Sequence, residues 1–238
     1  MADNLSIADL ERMRVGEPFF SRKNRVFKVN LEGKICVAKV SGPGRARSIA
    51  NEYEILCRCK RYGVSVPEPL LQLENAFVMS HVDGDNASEL FDSCFEGACQ
   101  RAGDVALDQL ADRVASWLYS FHKAFDFKLV RGDSILRNFI DAPGMLVGID
   151  LEESHEGDSI EDLGQVCAYV IATRPMFTDA KFDFARMIVA RYEDRIKTDI
   201  RSKLPGSVSS ALRYYGGFRS DCAQMDQWAD KISSWDEF

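Results

Sequence analysis

Arg131-Gly132-Asp133-Ser134-Ile135-Leu136-Arg137-Asn138 and, twelve residues past its last member, Asp150 in Val147-Gly148-Ile149-Asp150-Leu151-Glu152 decide how this chain reads. Asp133 and Asn138 stand five apart, with Leu136 and Phe139-Ile140 around the second and Val147 to Leu151 around Asp150. A surface turn followed by a hairpin would give the same letters, but polar residues set inside apolar runs need a reason. Asp133 can accept a hydrogen bond from a hydroxyl and orient it. Asn138 and Asp150 supply the hard oxygen atoms that Mg²⁺ prefers. Arg131-Gly132-Asp133 also spells an adhesion tripeptide, a reading that requires an exposed loop on an exported protein.

Upstream, the first ~80 residues read as short strands with one helix. Glu17 to Ser21 is a turn-containing segment, Arg25 to Val29 alternates as a half-buried strand does, Leu31 to Lys34 is a hairpin turn, and Ile35 to Val40 is a second strand. Ser41 to Gly44 is a loop by its Gly and Pro content, and a helix runs from Ala46 to Tyr62, stopped by Gly63. Val64 to Pro69 is extended, and Ala76 to Ser80 is a further strand. Lys39 sits between apolar neighbours, and by itself it reads as an edge-strand lysine facing water. Glu52 changes that balance. It shares a helix face with Ile55, Leu56 and Cys59, whereas Glu54 falls with Arg58 and Arg61. A carboxylate on an apolar face needs a partner, so Glu52 is the expected partner of Lys39.

Asp83 to Asn86 is turn chemistry and the expected boundary between segments 1–83 and 84–238. Beyond it the pattern is helical. Leu107, Leu110, Val114, Trp117, Leu118 and Phe121 recur at 3- and 4-residue spacing, strand-like runs near 129 and 147 interrupt, and helical patterns resume at 160–172, 179–198 and 222–235. Leu212 to Phe218 reads as core plus a turn. Net charge is −7, which argues against nucleic acid or an anionic membrane as a partner. No apolar run approaches the roughly 20 residues of a membrane span. Residues 1–14 do not read as a secretory signal. The seven cysteines, at 36, 57, 59, 94, 99, 167 and 222, show no C-x-x-C pair, so reduced thiols and a cytoplasmic setting are expected.

These residues together resemble the protein-kinase-like superfamily on its small atypical side: aminoglycoside phosphotransferases, RIO kinases and the KEOPS-complex kinase. Asp133 and Asn138 match the spacing of H-R-D-x-x-x-x-N and H-G-D-x-x-x-x-N, Asp150 the Asp of D-F-G, and Val37-Ala38-Lys39 the strand lysine. Asn51 to Leu56 with Gly63 to Pro67, Phe77 to Gly84, and Leu118 to His122 are similar to the helix-to-strand passage, the hinge strand and the helix before the catalytic loop. Asp158-x-x-Glu161-Asp162-Leu163-Gly164 resembles the segment whose Asp braces that loop, which falls on Asp162. The resemblance implies an α+β, bilobal fold, with a small antiparallel-sheet N-lobe holding one helix and a mostly helical C-lobe. It implies ATP and Mg²⁺ as cofactors, with Lys39 and Glu52 positioning phosphates, the backbone near Ser80 and Val82 meeting adenine, Asn138 and Asp150 holding metal, and Asp133 acting on the acceptor.

The chain departs from the pattern in three places. No G-x-G-x-x-G precedes Lys39; Gly16 and the polar turn Ser21-Arg22-Lys23-Asn24 stand there, with Lys23 and backbone amides left to cover phosphates. Arg131 replaces the His, beside Asp133, where a guanidinium would favour the ionised carboxylate or bind phosphate on an acceptor. Asp150-Leu151-Glu152 replaces D-F-G, adding a metal-directed carboxylate, and the short passage to Asp162 leaves no room for a long activation segment. The leading expectation is an ATP- and Mg²⁺-dependent phosphotransferase acting on a hydroxyl of a small molecule. A protein Ser/Thr kinase or ATPase of RIO or KEOPS type, with a protein substrate, and a nucleotide-binding pseudokinase scaffold are the alternatives.

Overall fold

Alternation along Lys34–Val40 sets the architecture of the N-terminal part. Cys36, Ala38 and Val40 turn to one face of the sheet, where they are buried with Phe27, Val29, Ala76, Val78 and Leu10. Val37 and Lys39 turn to the other. The computed structural model describes residues 5–96 and 100–238; Cys99 lies outside them. The strands are β1 (Arg14–Phe19), β2 (Arg25–Leu31), β3 (Lys34–Val40), β4 (Pro69–Leu73) and β5 (Ala76–Ser80), in the antiparallel order β1-β2-β3-β5-β4. A short helix α1 (Ile7–Arg12), capped by Ser6 and Asp9, precedes them and packs Ile7 and Leu10 on the first face. The helix α2 (Ala46–Arg61) buries Ile49, Glu52, Ile55, Leu56 and Cys59, and its Tyr53 ring meets Phe77 of β5.

The expected turn at Glu17 to Ser21 is corrected by β1, which reaches Phe19. Pro18 is tolerated because β1 is the edge strand and its register shifts between Val15 and Phe19. The hairpin at Glu32 and Gly33 is present, both at positive φ (52° and 84°).

The chain divides into two units, Met1–Asp83 with Val147–Glu153, and Gly84–Leu146 with Ser154–Phe238. Residues 147–153 were expected with 84–238. They join the first unit because Gly148 donates to the Ser65 carbonyl (3.0 Å) and the Leu151 amide to Glu52 (3.0 Å).

In the second unit the strands are short: β6 (Asp85–Asn86), β7 (Leu129–Val130), β8 (Phe139–Ala142), β9 (Met145–Gly148), in which the chain passes to the first unit, and β10 (His155–Glu156). β6 pairs with β8 and β7 with β10. The helices are α3 (Ala87–Glu96), α4 (Gln100–Ala124), α5 (Ile160–Ile171), α6 (Asp179–Ile196), α7 (Leu204–Gly216) and α8 (Cys222–Ser233). The periodic face of α4 is buried at Leu110, Val114, Trp117, Leu118 and Phe121; α4 packs on α6, and Trp117 meets the Phe139 ring of β8 edge on. α5 and α7 approach so closely that a Cβ at Gly164 would stand 2.1 Å from the Ser207 hydroxyl. α7 was not expected as a helix; its end buries Leu212 and Gly216 and the chain turns at 217–218, in keeping with the reading of Leu212 to Phe218 as core plus a turn. Among the described residues, no helix is long and apolar enough to cross a membrane.

Candidate functional site

The first unit builds its chemistry around one lysine. Lys39 is 4% exposed and Glu52 1% exposed. Lys39 Nζ lies 2.7 Å from Glu52, 2.7 Å from Asp150 and 3.3 Å from Glu152. Two local rules produce this. Strand alternation turns Lys39 to the α2 side, and helical periodicity places Glu52 on the buried stripe that faces it. Asp150 adopts a left-handed backbone (φ 59°), rare for a residue with a side chain and more tolerated by Asp than by most. Such conformations cluster at functional sites. Burial alone would lower the pKa of Lys39, but the charges of Glu52, Asp150 and Glu152 outweigh it and hold the ammonium well above its ordinary range. Burial pushes the Glu52 carboxyl up to about 7 against the pull of Lys39, with Asp150 adding to the push.

Oxygen atoms of Glu52, Asp150 and Glu152 lie within 4.8 Å of one another. All are hard donors of the kind Mg²⁺ prefers, but the Lys39 ammonium lies against each of them; Asp150, with its side chain 44% exposed, is the one of the three that fits a metal ligand. Glu152, 8% exposed, accepts a hydrogen bond from the side chain of Asn24. Asn24 in turn accepts from the Gly42 amide at 3.1 Å. Ser80, at the end of β5, uses its amide and hydroxyl on the main chain of Glu68 (2.9 and 2.8 Å). Val82 follows in irregular, half-buried backbone.

The second unit holds Asp133 and Asn138. Gly132 takes a positive φ of 81°, which lets the chain turn between Arg131 and Asp133. Asn138 Nδ2 donates to the Asp133 carbonyl (3.0 Å) and carboxylate (2.9 Å), so the amide oxygen faces away from Asp133. Beneath this loop Asp162, at the start of α5 and fully buried, accepts from the Arg131 amide (2.7 Å), the Gly132 amide (3.1 Å) and the Ser134 hydroxyl (2.8 Å). His122 Nε2 lies 2.9 Å from the same carboxylate, and its Nδ1 lies 2.8 Å from the Tyr192 hydroxyl. Burial would raise the Asp162 pKa. The bond and charge of His122, the Arg131 amide and Ser134 overcome that and hold it below 3.8.

Arg131 corrects an expectation. Its side chain is 0% exposed, 4.2 Å from the Phe139 ring centroid and 5.2 Å from that of Trp117, and it donates to the Asn138 carbonyl at 2.7 Å. It supports the loop from inside and is not available to a phosphate on an acceptor. The same burial removes the adhesion reading. On α7 the Tyr215 hydroxyl is buried and finds no partner among the described residues. Burial, with the charges of Asp133 and Asp162, pushes its pKa well up.

Of the residues singled out in the sequence, Lys39, Glu52 and Asp150 come together in one unit, and Asp133 and Asn138 in the other. Arg45 and Tyr192 were missed as site neighbours. Asn24 was noticed only as part of the polar turn that precedes β2, and Tyr215 only within the stretch from Leu212 to Phe218.

No family model matches the sequence, and no curated protein does. Among solved structures, an amicoumacin kinase in complex with AMP-PNP, Ca²⁺ and Ami is similar, with 11% identity, a TM-score of 0.60, and coverage of 91% of this chain and 87% of that one. WaaP in complex with acyl carrier protein matches with 14% identity over 94% of this chain and 91% of that chain, at a TM-score of 0.58. An aminoglycoside-3'-phosphotransferase of type VIII matches with 14% identity over 91% and 93%, at a TM-score of 0.51. At such identities the likeness is one of fold. The chain has a protein-kinase-like fold, with an antiparallel-sheet part and a helical part.

Proposed function

We propose that this protein is an ATP- and Mg²⁺-dependent phosphotransferase that moves the γ-phosphate to a hydroxyl, on a small molecule in preference to a protein. The observation that carries the reading is the buried Lys39–Glu52 pair with Asp150 against the same ammonium at 2.7 Å. Burying the charges of Lys39 and Glu52 costs several kcal/mol unless they are paired, and a lysine kept cationic there suits phosphate oxygens. In this reading Lys39, positioned by Glu52, holds the phosphates, and the main chain at Ser80 and Val82 meets the base. The Ser80 amide is already used by Glu68, which leaves Val82 as the stronger candidate donor.

Asp150 and the amide oxygen of Asn138, which faces away from Asp133, are the proposed metal ligands. A bound Mg²⁺ supplies neutralisation of charge on the group being transferred. Asp133 accepts a hydrogen bond from the acceptor hydroxyl, aims its oxygen and takes its proton late. Asn138 keeps the Asp133 carboxylate oriented through its 2.9 Å bond, and Asp162 holds the Arg131 and Gly132 amides just before it and the Ser134 hydroxyl just after. Eleven residues separate Asp150 from Asp162, which favours a small acceptor, because a platform for a protein substrate needs more chain.

The test is transfer from γ-labelled Mg-ATP in cell extract, with small molecules and macromolecules separated afterwards. We expect label in the small-molecule fraction, lost in Asp133→Ala while Mg-ATP binding stays nearly intact. Transfer that persists in Asp133→Ala sinks the assignment. Label on protein shifts the acceptor class, and failure of the wild type to bind Mg-ATP at all leaves a scaffold.

A further inference from the structure

Next to Glu152 the first unit carries Lys23, expected from the sequence to cover phosphates, and with it a second cation, Arg45, that no role above uses. Glu153 directs a single oxygen, Oε1, at two cations: Lys23 Nζ, and Arg45 Nη2 at 3.0 Å. Lys23 comes from the turn before β2, and Arg45 is the residue that precedes α2. The same two cations reach Glu152 Oε1 at 3.8 and 3.6 Å, and the other oxygen of that carboxylate is 3.3 Å from Lys39. One carboxylate group thus separates the Lys39 ammonium from the Lys23–Arg45 pair, a span that a short phosphate chain can bridge.

The two segments that bring the cations are pinned to each other. A Cβ on Gly42 would stand 2.0 Å from the Lys23 carbonyl oxygen, so only glycine permits the approach. The Gly42 amide is bonded to Asn24, and Asn24 to Glu152. The guanidinium edge is half used. Nε and Nη2 form one fork, suited to two oxygens of a single oxyanion. Glu153 engages Nη2 with one oxygen, while the Nε–H is buried without a partner among the described residues. A buried donor left unmet is costly. The Glu153 side chain is 41% exposed, against 5% for that of Glu152.

We propose that Lys23 and Arg45 form a subsite for the terminal, anionic end of a polyphosphate, and that Glu153 fills it as an internal substitute until phosphate displaces it. Phosphate brings more charge than a carboxylate and enough oxygens for both Nε–H and Nη2–H. The proposal deepens the function given above and rests on it for the identity of the ligand as a nucleotide. The anion site itself is tested without nucleotide.

The experiment is calorimetric titration of the full chain with inorganic tripolyphosphate, for wild type, Glu153→Gln, Arg45→Ala, Arg45→Lys and the Glu153→Gln/Arg45→Ala double variant, with circular dichroism to confirm folding. Removal of the internal competitor should tighten binding about fivefold, the equivalent of one exposed ion pair. Arg45→Ala should weaken binding, Arg45→Lys less so because charge remains without the fork. In the Arg45→Ala background the Glu153→Gln gain should fall below about twofold if the two residues act as one unit. An equal gain in both backgrounds would mean general charge repulsion and overturn the proposal, as would unchanged or weaker binding in Glu153→Gln, or no tripolyphosphate binding in any variant. The expected cycle without any transfer from ATP would leave the subsite standing and remove the kinase reading. Transfer dependent on Asp133 with a flat cycle would do the reverse.

Discussion

Replacement of Asp162 should cost more stability than that of any other single carboxylate in the second unit. Its two oxygens accept from the Arg131 amide, the Gly132 amide and the Ser134 hydroxyl and face His122, all in a fully buried setting. Asp162→Ala strands two main-chain donors and a hydroxyl. At ~1–3 kcal/mol for each buried donor left unmet, with some repair by entering water, the loss is about 4 kcal/mol. Asp162→Asn keeps one acceptor oxygen and should lose about half of that. The assay is urea unfolding followed by circular dichroism and tryptophan fluorescence; Trp117 lies against Arg131 and reports on this loop. The pH dependence supplies a second check. The folded pKa of Asp162 is depressed, so its contribution is present above the ordinary value of 3.8 and is lost as pH falls through the folded pKa. The difference between wild type and Asp162→Ala should therefore narrow in acid. A loss below about 1 kcal/mol at pH 7, or a difference that grows in acid, would refute the claim that this carboxylate holds the loop as an anion.

Three further outcomes follow from buried groups. Glu52 has a raised folded pKa, so folding takes up a proton and stability should fall as pH rises from 4.5 towards about 7; Glu52→Gln should flatten that slope in equilibrium unfolding, and an unchanged slope would contradict the assignment. Arg131→Ala removes the bond to the Asn138 carbonyl and the stacking on Phe139 and Trp117, and should cost about 3 kcal/mol in thermal or urea unfolding; a loss near zero would mean that the guanidinium supports nothing. Tyr215→Phe removes a buried hydroxyl without a partner among the described residues, so stability should hold or rise by about 1 kcal/mol, and a clear loss in the same measurement would reveal a bond to that hydroxyl.

What could be read from the sequence is what depends on short-range periodicity. Glu52 was legible because a charge on the stripe of Ile55, Leu56 and Cys59 is an exception to a pattern, and the exception named its partner. The helices α2, α4, α5, α6 and α8 follow from the same spacing. β1 was not legible, since all six of its residues are exposed and no alternation marks it. α7 was hidden by Gly206 and the serines at 207, 209 and 210, poor helix formers that its packing on α5 overrides. Arg131 shows a different limit. Asp133 stands two residues on in the sequence, but the Arg131 side chain is taken by two aromatic rings from elements that the spacing of 131–138 does not describe.

The turn at residues 21–24 shows why absence of a motif is weak evidence about a task. A glycine-rich loop brings main chain close to a ligand because glycine has no Cβ. Here the required glycine is on the opposite segment. Gly42 lets the Lys23 carbonyl come near, and Asn24, bonded to Glu152 and to the Gly42 amide, fixes the turn from within. Asn24 and Glu152 are 128 residues apart, and a polar contact over that distance leaves no periodic trace. A flexible flap must be ordered when a ligand arrives, at about 1–2 kcal/mol per residue fixed. A turn already pinned at Asn24 and Gly42 has met much of that cost in folding, so the missing glycines do not by themselves argue for weak binding of a polyphosphate.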